Sequence, residues 1–216
     1  MNSLPTIILG AGGHAKVLLD MLRLSDRSVL GVTSRDAAGQ GQRFCDLPVL
    51  GGDAVLADYS PDRVELVNGV GFAREAAWRA DVFKRGQTAG FRFVTLVHPG
   101  ATVAAGVELG EGAQIMAGAV LQPGTVVGAN AIINTRASVD HDCRIGPHTH
   151  VGPGAVLCGG VEIGEGSLVG AGATILPGVH VGNRCTVGAG ALCREEVLDG
   201  AVVVGVPARR VGADQK

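Results

Sequence analysis

Large aromatic side chains are almost absent from this chain. Phe, Trp and Tyr make up 3% of its 216 residues, while hydrophobic residues reach 46%. The apolar content is therefore aliphatic and small, an odd balance for a globular core, which normally uses rings as large fillers. Few rings also means few stacking platforms for single-stranded nucleic acid. Runs of Lys or Arg are missing as well, and 18 basic against 20 acidic residues leave a net charge of −2. Nothing here marks a nucleic-acid partner. No apolar window of roughly 18 residues occurs, so no membrane span is expected. The N-terminus has no basic segment and enters a strand pattern at once; no signal peptide is expected, and the cytoplasm is the expected location. Five cysteines (Cys45, Cys143, Cys158, Cys185, Cys193) form no Cys-x-x-Cys pair. That favours reduced thiols over a disulfide framework or a zinc site.

What the chain has in excess is glycine. Its 35 glycines are about twice the usual share. They do not recur every third residue, which excludes collagen. The apolar content is too high for a disordered chain.

From Val97 the sequence falls into six-residue units without a slip. The first position reads Val97, Val103, Leu109, Ile115, Leu121, Val127, Ile133, Val139, Ile145, Val151, Leu157, Ile163, Val169, Ile175, Val181, Val187. The fifth position is always small, and the second is often glycine, as at Gly110, Gly128, Gly146 and Gly164. Each unit reads as a short strand and a corner. The aliphatic and the small residue face a narrow interior, and glycine gives the corner its backbone angles. Three units make one triangular coil of 18 residues, so residues 18 apart stack, and the repeat makes about five coils spaced at about 4.8 Å. Rings would not fit such an interior. After Val187 the pattern dissolves into a capping strand and tail, which would protect the open end.

Residues 1–96 read differently. Strands at 6–10, 29–34, 47–50, 64–71 and 91–98 alternate with helices at 14–24 and 73–89 and a short one at 51–59. That alternation implies a parallel sheet and a small Rossmann-like α/β domain. Residues 97–216 form the second domain.

Three motifs could carry chemistry. Gly10-Ala11-Gly12-Gly13-His14 joins the first strand to the first helix. Its glycines let a ligand approach the backbone, and the helix N-terminus favours an anion, which suits a phosphate or pyrophosphate. Asp36, at the end of the second strand, could hold a ribose hydroxyl. Asp140-His141-Asp142 interrupts units otherwise made of Gly, Ala and Val. His141 can accept a proton near neutral pH, and a neighbouring carboxylate, Asp140 or Asp142, could orient the ring and stabilise its cation. Gly159 follows His141 by 18 residues, so its N–H could stabilise an oxyanion one coil away. His148 and His150 lack a carboxylate or thiolate at ligand spacing, and no metal is expected. Cys143 and Cys185 take the small fifth slot and read as core fillers.

Taken together, GAGGHAKV, IINTRASVDHDCRIG, LCGGVEIG, ILPGVHVG and VVGVPARRV resemble the two-domain hexapeptide-repeat sugar acetyltransferases. These include the bacillosamine and perosamine N-acetyltransferases and sialic acid O-acetyltransferase relatives. The resemblance implies a left-handed parallel β-helix, against the general right-handed crossover rule. It implies acetyl-CoA as co-substrate and a nucleotide-linked 4-amino sugar as acceptor. It makes His141 the base and Asp142 the residue that raises its basicity. Gly12, Gly13, His14, Ser34, Arg35, Asp36 and Gly71 become sugar-nucleotide contacts. His150, with backbone groups near Gly159 and Ala171, becomes the acetyl-CoA site. Where many members carry a Gly-Asn or Gly-Asp-Asn turn, this chain has Gly71-Phe72-Ala73. Homotrimers with active sites between subunits are also implied. Outward apolar residues such as Val120, Val126 and Val156 agree with self-association. Two alternatives remain at this point: O-acetylation of sialic acid or a related sugar, and a non-catalytic solenoid binding protein. A carbonic anhydrase-like solenoid would need a third histidine ligand that the pattern does not offer.

Overall fold

The computed structural model describes residues 3–35, 41–71 and 76–211. The chain divides into two compact units, Met1–Pro99 and Gly100–Lys216.

In the first unit a five-stranded sheet is built from β1 (Thr6–Leu9), β2 (Val29–Thr33), β3 (Arg43–Phe44), β4 (Leu47–Gly51) and β5 (Glu65–Asn68), in the order β3-β4-β2-β1-β5. β1 is buried along its whole length and pairs in parallel with β2 on one side and β5 on the other. α1 (Gly13–Leu24) buries Ala15, Leu18, Leu19 and Leu22, the one-sided spacing of an amphipathic helix. A 3-10 turn covers Asp53–Asp58, and α2 (Ala76–Thr88) follows β5. Two expectations need correction. The edge pair β3–β4 is antiparallel, so the sheet is mixed. The last expected strand, 91–98, is mostly irregular: Phe93 makes a single bridge to Leu66, and only Leu96–Val97 is extended. The chain crosses from one side of β1 to the other between β4 and β5, so the loop at Gly10–Gly13 sits where the strand order reverses. That is where open α/β sheets bind ligands.

The second unit is a left-handed parallel β-helix. Two-residue strands recur every six residues, each pairing with the strand 18 residues on, as Val120–Leu121 pairs with Ser138–Val139. First- and fifth-position side chains fill one continuous core, including Ile115, Leu121, Val139, Leu157, Ile175, Cys143 and Cys185. Coiling continues past Val187. Leu192–Cys193 pairs with Thr174–Ile175, and Val202–Val203 with Thr186–Val187, before an antiparallel return at Arg209–Arg210 closes the end.

The two glycine positions of the repeat do different work, which corrects the sequence reading. Second-position glycines leave room for the next coil. A Cβ on Gly128 would sit 2.5 Å from the Pro147 nitrogen, and one on Gly146 2.7 Å from that of Glu165. The left-handed backbone instead falls on the fourth position. Gly106, Gly112, Gly118 and Gly124 have φ between +68° and +81°. Asn130, Arg136, Asp142 and His148 then hold the same corner with φ of 56–59°, a conformation that disfavours L side chains other than Asn and Asp. Four successive corners thus carry polar or charged side chains where the preceding four carry glycine.

Candidate active site

The Gly-rich loop opens a cleft of about 380 Å³ in the first unit, lined by Gly10, Gly12, Gly13, His14, Ser34, Arg35 and Gly71, with Thr33, Asp53 and Trp78. Six of the seven expected sugar-nucleotide contacts therefore share one cavity. The seventh, Asp36, lies outside the described residues, as do Phe72 and Ala73. α1 begins here with Gly12 as N-cap, no side-chain cap and no acidic residue in its first turn. No acidic residue of the helix itself opposes its N-terminal dipole at this cleft, which suits an anion. Gly71 approaches His14 closely: a Cβ there would be 3.6 Å from the His14 Cβ.

Two features of this cleft escaped sequence reasoning. Asp53 lines it and accepts the Thr33 hydroxyl at 2.6 Å, while Thr33 Oγ1 accepts the Gly10 N–H at 3.1 Å. The turn after β5 is braced by a buried pair. Asn68 Nδ2 donates to the Arg79 carbonyl at 2.9 Å, and Arg79 Nη1 donates to the carbonyls of Asn68 at 3.0 Å and Val70 at 2.6 Å. Burial pushes the Arg79 guanidinium down to about 9. An arginine inside a helical stretch reads as a solvated face, so no sequence signal pointed to it.

On the β-helix, His141 and Asp142 stand at one corner, exposed to solvent. His141 Nδ1 lies 2.8 Å from Asp142 Oδ2, and the His141 backbone N–H donates to Asp140 Oδ1 at 2.8 Å. The carboxylate that meets the ring is thus Asp142, and Asp140 holds the backbone. The Asp142 hydrogen bond, then the Asp140 charge, raise the His141 pKa above the ordinary histidine value. With Nδ1 donating to Asp142, the lone pair sits on Nε2. Two glycines clear the space. A Cβ on Gly159 would lie 2.6 Å from His141 Nε2, and one on Gly124 would run into Asp142 Oδ1.

Gly159 and Ala171 share the third position of their units. Neither N–H joins the ladder between coils, where Cys158, Gly160, Gly170 and Gly172 donate instead. His150 is half-buried, with Nε2 2.9 Å from Asn134 Nδ2; His148 is buried, with Nδ1 2.9 Å from Asn130 Nδ2. Among the described residues no group of three His, Cys, Asp or Glu could hold a metal, and no helix is long and apolar enough to cross a membrane.

Known families fit both units. A family described as the PglD N-terminal domain matches residues 6–85, and one described as bacterial transferase hexapeptide (six repeats) matches residues 124–159 and 160–195. The chain is therefore a hexapeptide-repeat transferase. It superposes on PerB from Caulobacter crescentus, a structure with CoA and GDP-perosamine bound. Identity is 36% over 96% of this chain and 97% of that one, with a TM-score of 0.90. The acetyltransferase domain of PglB from Neisseria gonorrhoeae, in complex with acetyl coenzyme A, is 34% identical over 96% of this chain and 98% of its own, with a TM-score of 0.88. WeeI from Acinetobacter baumannii, 23% identical over 97% of this chain and 100% of its own, shares the fold with a TM-score of 0.80. No curated protein sequence matches the chain. The chain belongs to the sugar N-acetyltransferases of the PglD and PerB type, and is an acetyltransferase.

Proposed function

We propose that this protein transfers an acetyl group from acetyl-CoA directly to the amine of a nucleotide-linked 4-amino-deoxy sugar, with His141 as general base. The observation that carries this is the His141–Asp142 pair, 2.8 Å apart and exposed. Its free Nε2 lies over the backbone of Gly159. In this reading the amine attacks the thioester carbonyl and Nε2 takes the proton it loses. The Gly159 N–H faces the developing oxyanion. Collapse of the tetrahedral intermediate breaks the C–S bond, and the departing thiolate takes up the proton. Asp142 holds the ring in the tautomer that leaves Nε2 basic and supports the imidazolium once formed. His14, Gly12, Gly13, Ser34, Arg35 and Gly71 hold the nucleotide end of the acceptor, with Asp36 on the ribose. His150 and the N–H groups of Gly159 and Ala171 contact acetyl-CoA.

Direct transfer, without an acyl-enzyme, is supported by the state of the nearest buried thiol. Cys143 is fully buried, its S–H donates to the Cys158 carbonyl at 3.2 Å, and burial pushes its pKa up. A thiol so placed is a poor nucleophile. Ping-pong kinetics that vanish in Cys158→Ala would sink this step. The same reading assembles three copies, and sedimentation as a monomer would contradict it. The close relatives that hold CoA with an amino-sugar nucleotide or acetyl coenzyme A support amine acetylation over the sialic acid alternative. Mass spectrometry of products from acetyl-CoA and UDP-, GDP- and CMP-linked sugars tests the whole proposal. A gain of about 42 Da, one acetyl group replacing hydrogen, on a 4-amino sugar is expected. Transfer only to hydroxyl acceptors would refute it.

The pH dependence follows from the raised His141 pKa. A general base works only when deprotonated, so the rate rises with pH through a value above the ordinary 6.5 of histidine. Asp142→Asn removes the first cause of that rise. Asn also tolerates the left-handed corner, so the fold persists. The acid limb of kcat against pH is expected to move to lower pH, with a lower plateau. Ionisation of the substrate amine is common to both proteins, so the difference between the two profiles isolates His141. An unmoved limb would place the base elsewhere.

A further inference from the structure

The cleft of the first unit holds one aromatic ring that the chemistry above does not use. Trp78, on α2, lines it with Thr33, Arg35 and Asp53. Two guanidinium groups lie over its indole. Arg85 Cζ is 4.8 Å from the ring centroid and Arg35 Cζ is 5.1 Å from it, both within cation–π range. Arg85 is tied by Nε to Asp81 Oδ2 at 2.9 Å and by Nη2 to Asp53 Oδ2 at 3.3 Å. Arg35 is exposed, two residues beyond the end of β2.

A half-buried indole in a polar cleft needs a reason, and the parts of the proposed acceptor offer one. Sugar rings and phosphates are not flat; the nucleobase is. Bases stack on aromatic rings and on arginine planes, while polar groups at the edge choose among them. Asp53, fixed by the Thr33 hydroxyl, supplies such a group in the same cleft. Asp53 is anchored to the phosphate-binding loop through Thr33 and Gly10. We propose that Trp78 is the platform on which the nucleobase of the acceptor stacks, in the place that Arg35 takes over the ring in this structure. This rests on the nucleotide-linked sugar read above. Arg35 and the base compete for the indole, so the cation must lift from the ring when the nucleotide enters. Trp78 is then a specificity-determining residue. It sets how well the nucleotide binds and leaves the transfer step at His141 alone.

The chain has a single tryptophan, so its emission reports on this one ring. GDP, UDP and CDP are titrated onto the full-length protein, with pyrophosphate as the base-free control, while calorimetry follows the same additions. The nucleotide that binds is expected to quench the emission along the calorimetric isotherm, and pyrophosphate to leave it unquenched. In steady-state assays Trp78→Leu is expected to raise KM for the nucleotide sugar roughly ten-fold or more, the size of a lost base–aromatic stack. KM for acetyl-CoA and kcat stay near wild type, and Trp78→Phe recovers most of the loss. Circular dichroism checks that Trp78→Leu is folded. Nucleotide binding with unmoved emission and an unchanged KM in Trp78→Leu would overturn the platform alone. Absence of heat with all three nucleotides would overturn both the platform and the nucleotide-sugar reading.

Discussion

Replacement of His141 by alanine or asparagine lowers kcat by about 10²–10⁴-fold, the usual contribution of a positioned general base. His141 is well exposed, with side-chain accessibility of 62%. Its removal leaves no cavity and uncovers no buried polar group, so the melting temperature is expected to stay near wild type. KM values should also change little, because the ring acts on the proton lost in the transition state. Once the pH is above the range in which His141 loses its proton, the loss should shrink with rising pH, since hydroxide can then take the proton that the attacking amine gives up. A hydroxyl acceptor, the poorer nucleophile, would depend more on the base and lose more activity in the same variants. Steady-state kinetics at saturating acetyl-CoA across a pH range measure this. Activity within about two-fold of wild type would mean that His141 is a solvated corner histidine and not the base.

Gly159→Ala is expected to cost at least about 10²-fold in kcat, although the glycine carries no chemistry in its side chain. The added Cβ would lie 2.6 Å from His141 Nε2 and 2.7 Å from Cε1, so the ring must swing away. Displacement of a reacting group by about 1 Å is enough for a loss of this size. The neighbouring glycine provides the control. Gly160 has φ of +68° and open space around its Cα, so Gly160→Ala strains the backbone by about 1–2 kcal/mol and leaves His141 untouched. The two adjacent substitutions should therefore separate. Gly159→Ala loses activity and keeps stability, while Gly160→Ala loses stability and keeps activity. Thermal melts beside kcat for both variants test this. Equal loss of activity in the two would show that the ring is not held against Gly159.

The reasons for each glycine show where sequence reading stops. An unbroken six-residue register made the β-helix legible, because its interior admits only an aliphatic and a small residue per unit. Stacking at 18 residues made the approach of Gly159 to His141 legible too. The role of the individual glycines was not, since one residue type answers two demands: a left-handed corner and clearance for the next coil. Val187 looked like the end of the repeat because Cys193 and Val203 do not announce themselves as first-position aliphatics, yet both are buried in the same core. In the first unit the loop at Gly10 was legible from its place between a strand and a helix. Asp53, Trp78 and Arg79 were not, because they come from segments distant in sequence and meet only through the sheet.

By itself the sequence determined the two architectures, the phosphate-type loop and the one histidine flanked by acids on the coil. These rest on local periodicity and on residues adjacent in the chain. Only the tertiary structure decided which acid meets the ring. Asp140 and Asp142 are equivalent neighbours of His141 along the chain. The left-handed corner at Asp142, with φ of 59°, brings its carboxylate to Nδ1, while Asp140 meets the backbone N–H. Adjacency in sequence named the partners, and backbone handedness chose between them.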